Sequence, residues 1–137
     1  MLGEISSRTG CHVEYQTVDG ENVVLVWAAY GTGPSVRQAV FYRTSDGKVS
    51  EKFNYYLDSA NGLVVYGLLD GVMVRHIFDK DRYSKKFDTF EMPISYDYLE
   101  PFVNAVISDD GKLIEITYRI MTDDGLYRTN TETFELE

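Results

Sequence analysis

The chain has 137 residues, of which 44% are hydrophobic and 14% aromatic, and its formal charge is -9 at neutral pH. The aromatic content excludes a disordered chain, in which aromatic residues are scarce, and the length suits one domain. The acidic balance argues against binding to nucleic acid or to anionic lipid, because both depend on clustered Lys and Arg.

The sequence contains one cysteine, Cys11, so no disulfide can form within the chain. Its first residues lack the basic stretch and apolar run of a secretory signal. The longest apolar run, Val23 to Tyr30, is far shorter than the ~20 residues that span a bilayer, and no membrane insertion is predicted. We therefore expect a cytoplasmic protein, or an extracytoplasmic one if a leader was removed from the chain.

Short turns that contain glycine are the strongest signal in the sequence. Asp-Gly or Asn-Gly between β-rich runs predicts a hairpin, because these residues accept a positive φ. The pairs are Asp19-Gly20, Asp46-Gly47, Asn61-Gly62, Asp70-Gly71, Asp110-Gly111 and Asp124-Gly125. The predicted strands are 12–18, 22–30, 36–44, 48–57, 63–69, 72–78, 87–92, 102–108, 112–121 and 126–136. In the fourth strand Val49, Phe53, Tyr55 and Leu57 are predicted to share one face.

Two of these segments could form a helix instead of a strand. A capping box from Ser35 to Gln38 could start a helix over 35–41, although the β-branched and aromatic residues of 36–44 favour a strand. Over 98–107 apolar residues recur at helical spacing, and Pro101 would suit the first turn of a helix. Helix and strand are therefore both possible predictions for this segment. The charged stretch 79–90 is predicted to be the longest irregular connection.

Consecutive antiparallel strands must either close into a barrel or fold over as a sandwich to cover their apolar faces. Tight turns between neighbours favour an all-β, up-and-down meander of about 8–10 strands closed into a barrel, with a β-sandwich as the alternative. We expect 1–11 to be a flexible N-terminal segment and 12–137 to form a single β-barrel domain.

In chain length and strand count the sequence resembles the calycin barrels, the lipocalins and fatty-acid-binding proteins. The resemblance is one of architecture, and it implies a barrel with an interior ligand cavity. The diagnostic residues differ, because Trp27 lies within a later strand and not in a Gly-x-Trp that opens the first one. Asp19-Gly20 also forms a tight turn where fatty-acid-binding proteins insert a helical lid.

The last strands suggest a polar row on an apolar face. Three-residue loops at 109–111 and 123–125 would set Asn104 and Glu132 opposite Ile116. The same registers place Arg128 and Asn130 beside Tyr118 on that face. Such groups cost about 1–3 kcal/mol each when buried without hydrogen bonds, so the row indicates a self-satisfied network or a wet cavity. With two-residue loops the register shifts, and Thr129, Thr131 and Thr133 face inward instead.

The chemistry-bearing residues form no catalytic or metal-binding motif. Cys11 and His12 are adjacent on a strand and point to opposite faces, so they are not expected to share a proton. His76 lies on the face of Val72 and Val74, where a lone histidine is more often a hydrogen-bonded core residue than a ligand. Neither zinc spacing nor a calcium loop is present, and no metal, cofactor or catalytic residue is predicted.

These observations predict a non-catalytic protein that binds a small, partly apolar molecule in an interior cavity. The predicted ligand-binding residues are Tyr118, Arg128, Asn130, Glu132 and Asn104 around a polar head, with Trp27, Tyr42, Tyr66 and His76 as wall residues. The alternative is an acidic protein-interaction or inhibitor/immunity-type module, since residues 109–137 carry a net charge of -5. An enzyme in the same scaffold is the third possibility, and a monomer or weak homodimer is expected.

Overall fold

The computed structural model of the protein describes residues 11–29, 37–95, 101–123 and 128–137, and these residues form β-strands and their connections. The strands are β1 (Cys11–Val18), β2 (Glu21–Ala29), β3 (Arg37–Arg43), β4 (Phe53–Asn54), β5 (Tyr56–Ala60), β6 (Leu63–Gly67), β7 (Val72–His76), β8 (Ser84–Phe87), β9 (Phe102–Ile107), β10 (Leu113–Ile120) and β11 (Arg128–Glu135). The all-β prediction is confirmed. Within the described ranges no helix is long and apolar enough to cross a bilayer.

Neighbouring strands along the chain pair antiparallel, as predicted, but they form three sheets. Sheet A contains β1 to β4, sheet B contains β5 to β8, and sheet C contains β9 to β11. None of these sheets closes on itself within the described residues, so the barrel is not confirmed and the arrangement fits the sandwich alternative.

Sheet B is the middle layer, because its two faces belong to two different hydrophobic clusters. Val64 of β6 packs with Leu25 and Phe41 of sheet A, whereas its neighbour Val65 packs with Ile116 of sheet C. Adjacent strand residues point to opposite faces, and both valines are fully buried. An up-and-down barrel with one interior would leave one of these faces toward solvent, so the alternation within β6 argues for stacked layers.

The chain passes from sheet A to sheet B at Tyr55. This residue has φ +59°, a left-handed conformation that is rare for an aromatic residue, and it interrupts the predicted strand 48–57. Phe53 and Leu57 are buried on either side of it, whereas Tyr55 is 47% exposed and Val49 is 45% exposed. The prediction that these four residues share one face is therefore wrong.

Other segments either differ from the predicted strands or were predicted as helix or strand. β8 lies inside the stretch 79–90 that was predicted to be irregular, and it pairs with β7 as an edge strand rich in lysine. The segments 37–43 and 102–107, for which the sequence allows either a helix or a strand, are strands. β1 begins at Cys11, while residues 1–10 and the turn at 124–125 lie outside the described residues.

Asp58 of β5 links sheets B and C, because its carboxylate accepts a hydrogen bond from the Ile107 amide at 2.9 Å. Burial nevertheless raises the pKa of this carboxyl above its ordinary value. A raised folded-state pKa means that the ionised carboxyl destabilises the fold once the pH exceeds the unfolded value of about 3.9.

Replacing Asp58 by Asn is expected to raise the melting temperature at neutral pH and to leave it unchanged at about pH 3, where the aspartic acid is already neutral. Asp110→Asn is the matched control, since hydrogen bonds from Ser108 and the Lys112 amide lower the pKa of Asp110. That variant should lose stability at neutral pH. Thermal melts at both pH values test the pair, and a pH-independent effect of Asp58→Asn would contradict the assignment.

Candidate functional site

The predicted polar row lies where β10 and β11 meet the chain segment at Glu91 and Met92. The β10–β11 register is the predicted one, with Asn130 opposite Tyr118 and Glu132 opposite Ile116. The side chains of Tyr118, Asn130 and Glu132 come together, and the two-residue loop alternative is wrong.

These three side chains satisfy one another and the backbone. The Tyr118 hydroxyl accepts hydrogen bonds from the Met92 amide and the Asn130 amide group, both at 3.1 Å, and donates to the Glu132 carboxylate. Glu132 also accepts from the Glu91 amide at 3.0 Å. Burial, together with the Glu132 carboxylate, raises the pKa of Tyr118. These contacts match a self-satisfied network, which is one of the two outcomes predicted for the polar row.

Aromatic packing covers the same network. The Phe90 ring lies 4.7 Å from that of Tyr118 and 5.5 Å from those of Phe102 and Phe134, measured between centroids. Tyr118 itself is fully buried. A ligand head group would have to displace the Met92 amide or the Asn130 amide group to bond the Tyr118 hydroxyl.

Asn104 and Arg128 differ from the buried Tyr118 in that both are exposed. Asn104 pairs with Thr117 and is exposed, because the β9–β10 connection is one residue longer than predicted and the register shifts by one. Its predicted place on the apolar face is therefore wrong. Arg128 pairs with Ile120, as predicted, and its side chain is exposed.

His76 holds the β1–β2 turn against sheet B. Its Nδ1 accepts hydrogen bonds from the amides of Phe78 and Asp79, at 3.2 and 3.1 Å. Nε2 therefore carries the hydrogen and donates to Asp19 at 2.9 Å. Arg82 also donates to Asp19, and these two partners, Arg82 foremost, lower the pKa of that carboxyl. Both ring nitrogens are engaged, as expected for a hydrogen-bonded core histidine.

The other predicted wall residues occupy different surfaces. Trp27 is half-buried at the edge of the sheet A and sheet B interface, where its ring stacks on His12 at 4.0 Å. Tyr42 lies on the opposite face of sheet A, in register with Val24 and Val49. Of the wall residues, Tyr66 lines a groove within the described part of the chain.

This groove of about 690 Å³ runs between β4 and the end of β6, and we call it the Tyr66 groove. It is lined by Glu51, Lys52, Phe53, Asn54, Tyr55, Tyr66, Gly67, Leu68 and Leu69. Phe53 forms its floor beside Tyr66, with ring centroids 5.4 Å apart. Leu69 is 81% exposed at the rim, and such an exposed leucine next to aromatic rings is a feature of binding surfaces.

The left-handed backbone of Tyr55 gives this groove its shape. The Tyr55 carbonyl accepts a hydrogen bond from the Gly67 amide at 2.9 Å, which joins the two walls. The strained conformation turns the Tyr55 side chain outward, whereas regular alternation would have buried it. Strain of about 1–3 kcal/mol persists only where the surrounding structure holds it, and it is concentrated at functional sites.

Beneath the groove, Arg75 is a buried cation, with only 6% of its surface exposed. Its guanidinium donates to Glu51 at 2.5 Å and to the carbonyl of His76 at 3.0 Å, and it lies 5.2 Å from the Phe53 ring centroid. Arg75 and Glu51 together fix the ring that forms the floor. Burial is the largest cause that raises the pKa of Tyr66 above its ordinary value.

Comparison of the chain with protein families, with curated proteins and with solved structures finds no match in any of the three. Among the residues that the structure describes, no group of three or more His, Cys, Asp or Glu side chains is placed to hold a metal ion.

Proposed function

We propose that the chain is a non-catalytic binding protein that holds a small, partly apolar molecule in the Tyr66 groove. The observation that carries the proposal is the open apolar surface of this groove, formed by Tyr55, Tyr66 and the exposed Leu69 above the buried Phe53. Its volume of about 690 Å³ lies within the range of small-molecule sites. The groove takes the place of the interior barrel cavity that the sequence predicted.

The charged rim suits a ligand with one polar end. Glu51 and Lys52 line the groove, and the Glu51 side chain is 67% exposed although it pairs with Arg75. An apolar body would lie against Tyr66 and Leu69 while its polar end stays in water beside these charges. This arrangement favours a flat ring system or a short chain with a single polar group.

Fluorescence of 8-anilinonaphthalene-1-sulfonate, an apolar ring probe with one charged group, tests the groove directly. We expect Tyr66→Ala and Leu69→Ala each to weaken binding of the probe several-fold, because each removes part of the apolar wall. Leu113→Ala is the matched control, since Leu113 is 41% exposed on sheet C, away from the groove. Equal probe binding by all of these variants would overturn the proposal.

Native mass spectrometry of the purified protein, followed by thermal shifts with a lipid and metabolite panel, then identifies the natural ligand class. A compound that raises the melting temperature of the wild type should fail to do so for Tyr66→Ala. If the panel compounds stabilise both forms equally, the ligand is bound elsewhere.

The alternative, an interaction module for a basic protein, is favoured by the outer face of sheet C. Glu115 and Glu135 are exposed there among threonines, and Thr117 and Thr131 share a hydrogen bond of 2.8 Å across the strands. A pull-down from native lysate at low and high salt would test this alternative, because binding by charge weakens as salt rises.

A further inference from the structure

β1 is an open edge strand. Within the described residues it pairs with β2 alone, along its whole length from Cys11 to Val18. Most of its residues are exposed, including Val13 at 53% and Tyr15 at 83%. A long exposed edge is a template for a further strand, and natural proteins usually protect such edges with Lys, Pro or a bulge. β1 contains neither Lys nor Pro, its one charged side chain is Glu14, and its pairing with β2 has no bulge.

The turn at Asp19 and Gly20 determines which backbone groups of β1 face outward. Both residues have positive φ, so the turn is of the two-residue kind in which Val18 and Glu21 form a hydrogen-bonded pair. Hydrogen-bonded pairs alternate along an antiparallel ladder. The amides and carbonyls of Val13, Tyr15 and Thr17 therefore point away from β2.

Val13 and Tyr15 also present apolar side chains on the outer face of sheet A. Val13 stands in one cross-strand row with Val26 and Val40. Tyr15 stands in the next row with Val24, Tyr42 and Val49. An added strand would thus gain backbone hydrogen bonds and contact with the exposed side chains of Val13 and Tyr15, whereas Val26 and Val40 are already buried.

Charge favours a second copy of this chain as that strand. Residues 11–54, which contain sheet A, have five acidic and four basic residues, a net charge of -1, while the whole chain has -9. Sheet A of one copy therefore meets sheet A of another with little like-charge repulsion. In β1 itself, Glu14 is the one acidic residue, and no Lys or Arg is present.

We propose that two copies of the chain associate through antiparallel pairing of their β1 strands, with the two-fold axis at Tyr15. This register pairs residues 12–18 of one copy with the same residues of the other copy, which run in the opposite direction. It sets Glu14 opposite Gln16, and the two Tyr15 residues form the hydrogen-bonded pair at the axis. A register centred on Glu14 would place two carboxylates opposite each other. One centred on Val13 would pair a shorter part of the strand. The result is a continuous eight-stranded sheet, formed by four strands from each copy.

Sedimentation equilibrium over a range of concentrations tests the association. We expect the wild type to form a dimer and Tyr15→Pro to weaken it at least tenfold, because proline removes an outward amide hydrogen and spares the β1–β2 ladder. Val13→Lys is a second variant that keeps the backbone intact. Val106→Lys is the control, since Val106 is 48% exposed on sheet C, close to the 53% of Val13. A monomeric wild type, or a dimer unaffected by either sheet A variant, would overturn the proposal.

Cysteine crosslinking tests the register. In a Cys11→Ser background, Tyr15→Cys should form a disulfide-linked dimer under mild oxidation, since opposed Cα atoms lie about 5.5 Å apart in a hydrogen-bonded pair. Gln16→Cys should not crosslink, because it faces Glu14 of the other copy. Efficient crosslinking of Glu14→Cys without that of Tyr15→Cys would contradict the proposed axis. The Tyr66 groove contributes no residue to this interface, so either proposal can fail alone.

Discussion

Replacing Val64 by Ala and, separately, Val65 by Ala is expected to lower the free energy of unfolding by about 2 kcal/mol in each case. Both side chains are fully buried, yet they belong to different clusters on the two faces of sheet B. Each truncation removes two methyl groups from a packed core and leaves a cavity. Because the clusters are separate, the double variant should lose close to the sum of the two effects.

Urea unfolding measures these changes, with Val106→Ala as the control. Val106 is 48% exposed on the outer face of sheet C, so its truncation should change the free energy of unfolding by less than about 0.5 kcal/mol. If one of Val64→Ala and Val65→Ala behaved like Val106→Ala, sheet B would have only one buried face. The three-layer packing would then be wrong.

Replacing Glu132 by Ala is expected to cost about 2–3 kcal/mol of stability. The change removes the acceptor for the Tyr118 hydroxyl and for the Glu91 amide. The phenol is fully buried, so the group that loses its partner cannot turn to bulk water. The segment at Glu91 and Met92 would also lose one of its two hydrogen bonds to the network.

Glu135→Ala is the matched control for Glu132→Ala. Glu135 lies on the same strand and carries the same charge, but its side chain is on the exposed face. Its replacement should change the melting temperature little, and the difference between the two variants should persist in high salt. Equal effects would show that Glu132 acts through its charge alone and that the network does not support the fold.

The β10–β11 register could be predicted because two independent signals agree there. Ile114, Ile116 and Ile120 alternate with polar residues, and the turn residues set the loop length. The β9–β10 register could not be predicted in the same way. Its turn carries the same Asp-Gly signal, but the connection is one residue longer than the predicted three-residue loop. Ser108 and Asp110 fill that connection with side-chain hydrogen bonds, which no period-two pattern reveals.

The break at Tyr55 was equally hidden from the sequence. Its neighbours fit a single alternating strand, and an aromatic residue with positive φ contradicts local preference. The conformation follows from tertiary structure, since the chain must leave sheet A and enter sheet B within one residue. For this reason Tyr66 could be named as a candidate wall residue, but the groove that it lines with Tyr55 and Leu69 could not be foreseen.

The order of the three sheets along the chain has a consequence for synthesis on the ribosome. Each sheet pairs strands that are consecutive in sequence, so sheet A can form before sheet B emerges, and sheet B before sheet C. The sheet with two apolar faces comes second. One of its faces can be covered at once by the completed sheet A, whereas the other waits for residues 102–137. A stalled or truncated chain would therefore expose Val65, Val72 and Val74 together, which makes the nascent intermediate prone to aggregation.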